Sequence, residues 1–571
     1  MFAQHRLLVS LVRASASERH GRAIAEPDSD RRCQYHLALL LLASTVGVAA
    51  LGNSGCDDAS STSPVDSSLV DAVVGTGDGA PVDAIAPDVA WPDVVWPDVV
   101  WIDATAADPD GAALWPDAPG LDAAAPPDSS PDAPPADIAE RLAAIEGMEI
   151  VSETAGANFR FFVLEFEQPA DHSSPAKGRF SQRMTLLHRA EAQPMVMMTD
   201  GYYINLQNNE YEVTSLLEAN QLVVEHRFFE ESRPAPADWN NLTIRQAAAD
   251  HHRINQALHP IYRGPWITTG HSKGGMTAVY YRRFYPDDVD ATVAYVAPLN
   301  HGVNDDRYPA FLEQVGDATC RQALDDFQKI ALFRRESLVQ MLEDWASLSD
   351  LTFDVIGIDQ SFEGAVIELP FSFWQYHDPA ECAGVPDGEA SNYDVLAFFW
   401  SNSMFYLYAD QMITMFLPYF YQTVTELGYP ASRTEHLAGL LQYDDTSGIP
   451  PDLLPPGVDP VFDPEAMRDI GDWVAGQGKS IMFIYGEYDP WTAGMFRLGQ
   501  AVDSYSFTVP HGNHSSVIDM LPEPQQSEAL QILRRWARLP AEGSGDSSKR
   551  AAVRQTREPP LPAAVPVFFH L

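Results

Sequence analysis

Positive charge is what this 571-residue sequence has least of: 36 Lys and Arg stand against 80 Asp and Glu, a formal charge of −44. A chain so poor in cations has no footprint for a polyanion, which excludes nucleic acid as a partner. Cysteine is scarce as well. The four are Cys33, Cys56, Cys320 and Cys382, and no Cys/His spacing forms a metal site, so the reading assigns no metal and no cofactor. Long apolar runs are few. The helical pattern "YDVLAFFWSNSMFYLYADQMITMF", Tyr393 to Phe416, is apolar enough to suggest a membrane span, yet Asp394, Asn402, Asp410 and Gln411 would each cost free energy in lipid.

The charge is unevenly spread. Between Asp57 and Asp137 there are 17 Asp and no Glu, Lys or Arg. Residues 57–137 are mostly Asp, Pro, Ala, Ser and Val, with the internal repeat "WPDVVWPDVVWIDA", and read as an extended, solvated tether. Before it, Arg31 and Arg32 precede an apolar run from Leu37 to Leu51 and the small residues Gly52, Ser54 and Gly55. Residues 1–56 thus read as an export signal. Cys56, followed by Asp57 and Asp58, leaves two readings open: a lipid-anchored cysteine of the cell envelope, the sole membrane attachment expected, or a cleaved signal of an extracellular protein. In either compartment Cys320 and Cys382 are expected to pair as a disulfide. The tail, 540–571, is polar or Pro-rich and reads as disordered.

Order is expected from Ile138. Apolar strands alternate with helices through "FRFFVLEFEQP", "FSQRMTLLHR", "MVMMTDG", "LVVEHRFF", "WITTG" and "TVAYVAP", which implies an α/β fold with a mostly parallel sheet covered on both faces. The core is split: 138–299 forms its first part and 476–539, with "SIMFIYGEYDP", its second. Residues 300–475 read as a large helical lid inserted before the strand that bears the catalytic acid.

"WITTGHSKGGMTAVYY" places Ser272 between Gly270 and Gly274 where a strand turns sharply into a helix. Side chains two positions either side of the tip would strike neighbouring backbone, and the glycines remove them; this is the G-x-S-x-G nucleophile elbow. A serine needs a base, and the base an orienting carboxylate, in the order Ser, Asp or Glu, His. Asp489 follows the strand "SIMFIYGEY", and His514 lies in the turn-rich "PHGNHSS". Glu487 and Asp503 compete for the acid and His511 for the base; each reads as structural, as do His226, His251, His252 and His271. The oxyanion of an acyl-transfer step calls for backbone donors, assigned to Lys273 and to Gly201 or Tyr202.

The blocks "EFEQPADHSSPAKGRFSQRM", "VVEHRFFEESRP", "TGHSKGGMTAVYYRRFYPDDVDATVAYVAP", "YGEYDPWTAG" and "GNHSS" together resemble the secreted bacterial prolyl tripeptidyl aminopeptidases, relatives of Pro-X carboxypeptidase and dipeptidyl peptidase II. The resemblance covers about residues 138–539. It implies an α/β-hydrolase core with a helical lid and a serine exopeptidase that removes short peptides from free N-termini, often after proline, with Ser272, Asp489 and His514 as its triad. Such an enzyme must hold a free ammonium group, and Glu230 and Glu231, after the strand "LVVEHRFF", are the expected anchors, against the alternative that they pair with Arg227 or Arg233. Two other functions use the same residues: an esterase or lipase whose acyl pocket is lined by Trp374, Phe398, Phe399 and Trp400, and a non-catalytic binding domain displayed on the tether.

Overall fold

A computed structural model of the chain describes residues 137–349, 351–443 and 453–540. The expected export signal, tether and tail lie outside the described residues. Nine strands form one sheet in the order β1-β2-β3-β5-β4-β6-β7-β8-β9: β1 (Met148–Ala155), β2 (Arg160–Pro169), β3 (Arg179–His188), β4 (Met195–Thr199), β5 (Asn220–Val224), β6 (Trp266–His271), β7 (Ala291–Tyr295), β8 (Ile481–Gly486) and β9 (Tyr505–Val509). β1, β2, β3 and β5 pair antiparallel, and from β5 onward every pairing is parallel. Among these strands, β1 is the one the sequence did not announce. Its "MEIVSETA" is exposed along most of its length, so it carries little of the apolar periodicity by which a strand is recognised.

The central strands are buried on both faces, and alternate residues point to opposite layers. Met195, Met197, Ile481, Phe483 and Tyr485 pack into one core, whereas Val196, Met482 and Ile484 pack into another. The first core is covered by α1 (Ile138–Ala143), α3 (Ile244–Leu258), α4 (Lys273–Phe284) and α11 (Pro464–Gln477). The second is covered by α2 (Glu212–Leu217) and α12 (Gln525–Trp536). The layers are those of an α/β-hydrolase core: mostly parallel sheet, helices on both sides.

Between β7 and β8 the chain builds a helical insertion with a hydrophobic core of its own. Its helices are α5 (Arg307–Leu312), α6 (Ala318–Phe333), α7 (Arg335–Ser349), α8 (Ile358–Tyr376), α9 (Asn392–Asn402) and α10 (Asp410–Gln422). α11, read from sequence as the end of the lid, instead packs Met467, Ile470 and Val474 against the sheet. α8 and α10 each hold a proline in their interior, Pro370 and Pro418, and an interior proline removes one backbone hydrogen bond. Trp374, Phe398, Phe399 and Trp400 belong to the lid's own core, in pairs such as Phe327 with Phe398 and Trp345 with Trp400, so their burial is explained without an acyl pocket. Cys320, on α6, and Cys382 are joined as a disulfide. Among the described residues no helix is long and apolar enough to cross a membrane.

Candidate active site

The elbow forms where β6 ends and α4 begins. Ser272, between them, adopts φ 54° and ψ −124°, a conformation that costs a β-carbon-bearing residue strain and that occurs where surrounding structure enforces it. The enforcement is visible: the Ser272 N–H donates to the Tyr295 carbonyl at 2.9 Å, tying the tip to β7. A β-carbon at Gly270 would collide with the Gly274 carbonyl, and one at Gly274 with the carbonyls of Thr199 and Asp200. Both glycines are therefore steric requirements of the turn.

Asp489 lies just beyond β8, wholly buried, and its two oxygens are both used. One accepts from the Trp491 N–H at 3.1 Å and the other meets His514 Nδ1 at 2.7 Å. A carboxylate can only accept, so Nδ1 carries the proton and Nε2 is left basic. His514 sits in the loop after β9. Its backbone N–H donates to the Gln375 carbonyl at 2.9 Å, and its ring meets Tyr376 edge-on with centroids 6.0 Å apart; both partners end lid helix α8. Trp491 bridges the two halves of the site, 6.2 Å from the His514 ring and lining, with Ser272, Tyr202, Lys273, Asn300 and Tyr419, a narrow cleft. Among the described residues no hydrogen bond joins Ser272 Oγ to His514. That contact commonly tightens only when substrate is bound.

The rivals for these roles are occupied elsewhere. Glu487 accepts from the His511 N–H at 2.7 Å, and Asp503 is held by Arg535 and Trp536. His511 stacks on Tyr488. His271, stacked on Tyr295, is pushed down to about 3 by burial and by nearby His514; His226 bonds the Arg227 carbonyl and Tyr280, His251 the Ala247 carbonyl, and His252 pairs with Asp288. Among the described residues no group of three or more His, Cys, Asp or Glu could hold a metal ion.

Lys273 opens α4, so its N–H has no partner within the helix. Facing it is the turn after β4, where Gly201 has φ 89° and a β-carbon would come within 2.7 Å of the Gly274 nitrogen. The turn of Gly201 and Tyr202 is thus pressed against the start of α4. The Lys273 side chain, a feature the sequence reading passed over, fastens it: Nζ donates to the Gly201 carbonyl and lies 5.2 Å and 5.1 Å over the rings of Tyr202 and Phe229. Burial drives this amine well below its ordinary range. Asp200 beside it is buried with neither carboxyl oxygen hydrogen-bonded, and burial together with the Glu225 charge raises it to about 7.

Glu230 and Glu231 are exposed, and neither lines the cleft among the described residues. They lie in a 3₁₀ turn, Glu230–Ser232, whose buried member is Ser232. Glu231 pairs with Arg183 at 3.7 Å. Arg227, considered as a partner for them, is wholly buried and holds Asp250 through two hydrogen bonds of 2.7 Å and 2.8 Å. The carboxylate turned inward from this segment is Glu225, which accepts from Ile204 N–H and from both N–H and Oγ of Ser232.

A strained serine at an elbow, with a buried Asp–His pair in the loops that follow neighbouring strands, is the apparatus of a serine hydrolase, and the family model for PS-10 peptidase S37 matches residues 131–555. The chain belongs to this family. It is a serine peptidase, and peptides are its substrates. It is 42% identical over 410 residues to prolyl tri/tetrapeptidyl aminopeptidase from Streptomyces mobaraensis, covering 71% of this chain and 86% of that one. A second relative is lysosomal Pro-X carboxypeptidase from Mus musculus, 31% identical over 160 residues, 24% of this chain and 33% of the relative. Among solved structures, proline iminopeptidase from Mycobacterium smegmatis aligns at 13% identity over 65% of this chain and 98% of that one, with a TM-score of 0.31.

Proposed function

We propose that this peptidase removes short peptides, three or four residues long and ending in proline, from free N-termini, with Ser272, His514 and Asp489 as its triad. The observation that carries the reading is the Asp489–His514 bond of 2.7 Å above a sheet whose elbow holds Ser272 at φ 54°. The activity in the name of the 42%-identical relative supports the substrate class.

In this reading His514 Nε2 removes the proton from Ser272 Oγ as the oxygen attacks the scissile carbonyl, and Asp489 stabilises the imidazolium that forms. The oxyanion is met by the N–H groups of Lys273 and of Gly201 or Tyr202, held ready by the Lys273 side chain and therefore needing no reorganisation during the reaction. The imidazolium then protonates the departing amine, the C–N bond breaks, and an acyl-serine ester remains. Water, deprotonated by the same imidazole, attacks that ester and releases the peptide. Export of the chain, by a cleaved signal or through a lipid at Cys56, is the accompanying proposal for its location; the apolar run before Cys56 supports it.

Labelling with an organofluorophosphonate, followed by profiling, tests the reading. Modification is expected at Ser272, with kcat/KM for an Ala-Ala-Pro reporter at least about 100-fold above that of its acetylated form, because acetylation removes the ammonium charge by which an exopeptidase holds its substrate. Hydrolysis of blocked esters in place of free-amine peptides would assign the site to an esterase.

A further inference from the structure

Lid helix α8 carries a carboxylate with no cation beside it. Glu368 is partly buried, its Oε1 accepts from Ser432 Oγ at 2.6 Å, and among the described residues no Lys, Arg or His pairs with it. Burial raises this carboxyl above its ordinary range. Its neighbours are phenols: the Tyr408 hydroxyl packs against α8 at Gly364, one turn away, and both Tyr408 and Tyr429 are raised by burial and then by the Glu368 charge. A lone carboxylate in such surroundings is costly unless something positive joins it.

The position of Glu368 relative to the reacting bond can be measured along two elements. Tyr376 ends α8 against the His514 ring, and Glu368 lies eight residues nearer the N-terminus of the same helix. At about 1.5 Å per residue that is about 12 Å. The second path starts at Gly428, which lines the cleft with Ser272, and reaches Ser432, the residue bonded to Glu368, within four residues; a fully extended chain of that length spans at most about 14 Å. Three substrate residues, from the carbonyl under attack to the terminal nitrogen, extend about 10 Å. Both spans leave room for a tripeptide between Ser272 and Glu368.

We infer that Glu368, on the lid, receives the ammonium group of the substrate's N-terminus about three residues from the bond Ser272 attacks. The inference rests on the exopeptidase reading and gives that reading its length selection: the carboxylate fixes one end of the peptide and the serine the other. It also moves the amine anchor from Glu230 and Glu231, on the surface next to β5, to the inserted lid. Tyr419 lines the cleft with Ser272, and Tyr429 feels the charges of both Glu368 and Tyr419.

The test measures kcat/KM of wild type, Glu368→Gln and Glu368→Asp on Ala-Ala-Pro-p-nitroanilide, on its N-acetyl form, and on p-nitrophenyl acetate, which has no amine to anchor. Glu368→Gln is expected to lose on the order of 100-fold on the free-amine substrate, as when one partner of a buried charge pair is removed, with p-nitrophenyl acetate turnover unchanged. Glu368→Asp, which keeps the charge on a shorter side chain, is expected to recover much of the free-amine preference at a raised KM. If wild type prefers the free amine and both variants keep the full preference, the assignment of Glu368 is overturned while the exopeptidase reading stands. If wild type shows no preference for the free amine, the exopeptidase reading is overturned and this inference with it.

Discussion

A serine hydroxyl is a poor nucleophile until a neighbouring base takes its proton, and most of what makes Ser272 special is visible in the letters around it. Gly270 and Gly274 could be read from sequence because steric exclusion acts over a few residues. The Asp489–His514 pair was legible because the two residues follow successive strands in the order this fold uses, and the hydrogen bond between them is present. Asp200 and the Lys273 side chain could not. Each is an ordinary charged residue until the fold removes water from it, and the one cue was the "TDG" that ends β4. Asp200 gives a prediction at this scale. Its carboxyl is raised to about 7 by burial and by Glu225, against about 3.9 in an unfolded chain. The folded state therefore binds the extra proton between about pH 4 and pH 7, and its contribution to stability is present below that window and lost as pH rises through it. Asp200→Asn removes the loss. Melting curves at pH 5 and pH 8 are expected to show the variant gaining on wild type by at least about 2 °C at the higher pH. A difference between the two proteins that does not change with pH would refute the assignment.

At the level of elements, β6, the elbow and α4 were legible together because an apolar strand, a glycine pair and a helical pattern fall within twenty residues. The strand read through "LVVEHRFF" ends at Val224. Past that point Glu225, His226 and Arg227 turn aside into buried hydrogen bonds with Ser232, Tyr280 and Asp250, partners that strand periodicity does not register. α8 does not stand out in the sequence because Pro370 interrupts it, and with it go Gln375 and Tyr376, the lid residues that touch the His514 loop. The lid's cohesion is itself open to measurement. The Cys320–Cys382 bridge closes a 62-residue loop, and constraint of the unfolded chain over that length is worth about 4 kcal/mol in the entropic account. The pair Cys320→Ser and Cys382→Ser is expected to lower the midpoint of lid unfolding in urea and leave that of the sheet nearly unchanged, followed by proteolysis within 300–463 against the rest. Equal protease resistance with and without the bridge would show that it does not hold the lid.

Over the whole molecule, Ser272 stands more than two hundred positions before Asp489 and His514 in the sequence, and the three come to the same end of neighbouring strands only because β6, β7, β8 and β9 lie side by side. The insertion between β7 and β8 adds a hydrophobic core of its own to the two that flank the sheet, without disturbing that register. The central claim is that one hydroxyl, placed at the elbow of this sheet, forms the acyl-enzyme. It is tested most directly by kcat for Ser272→Ala on Ala-Ala-Pro-p-nitroanilide, with the variant's folding checked by its melting curve. The account predicts a fall of about 10⁴-fold or more, the scale seen when a member of such a triad is removed. Turnover equal to that of the unaltered enzyme would contradict it.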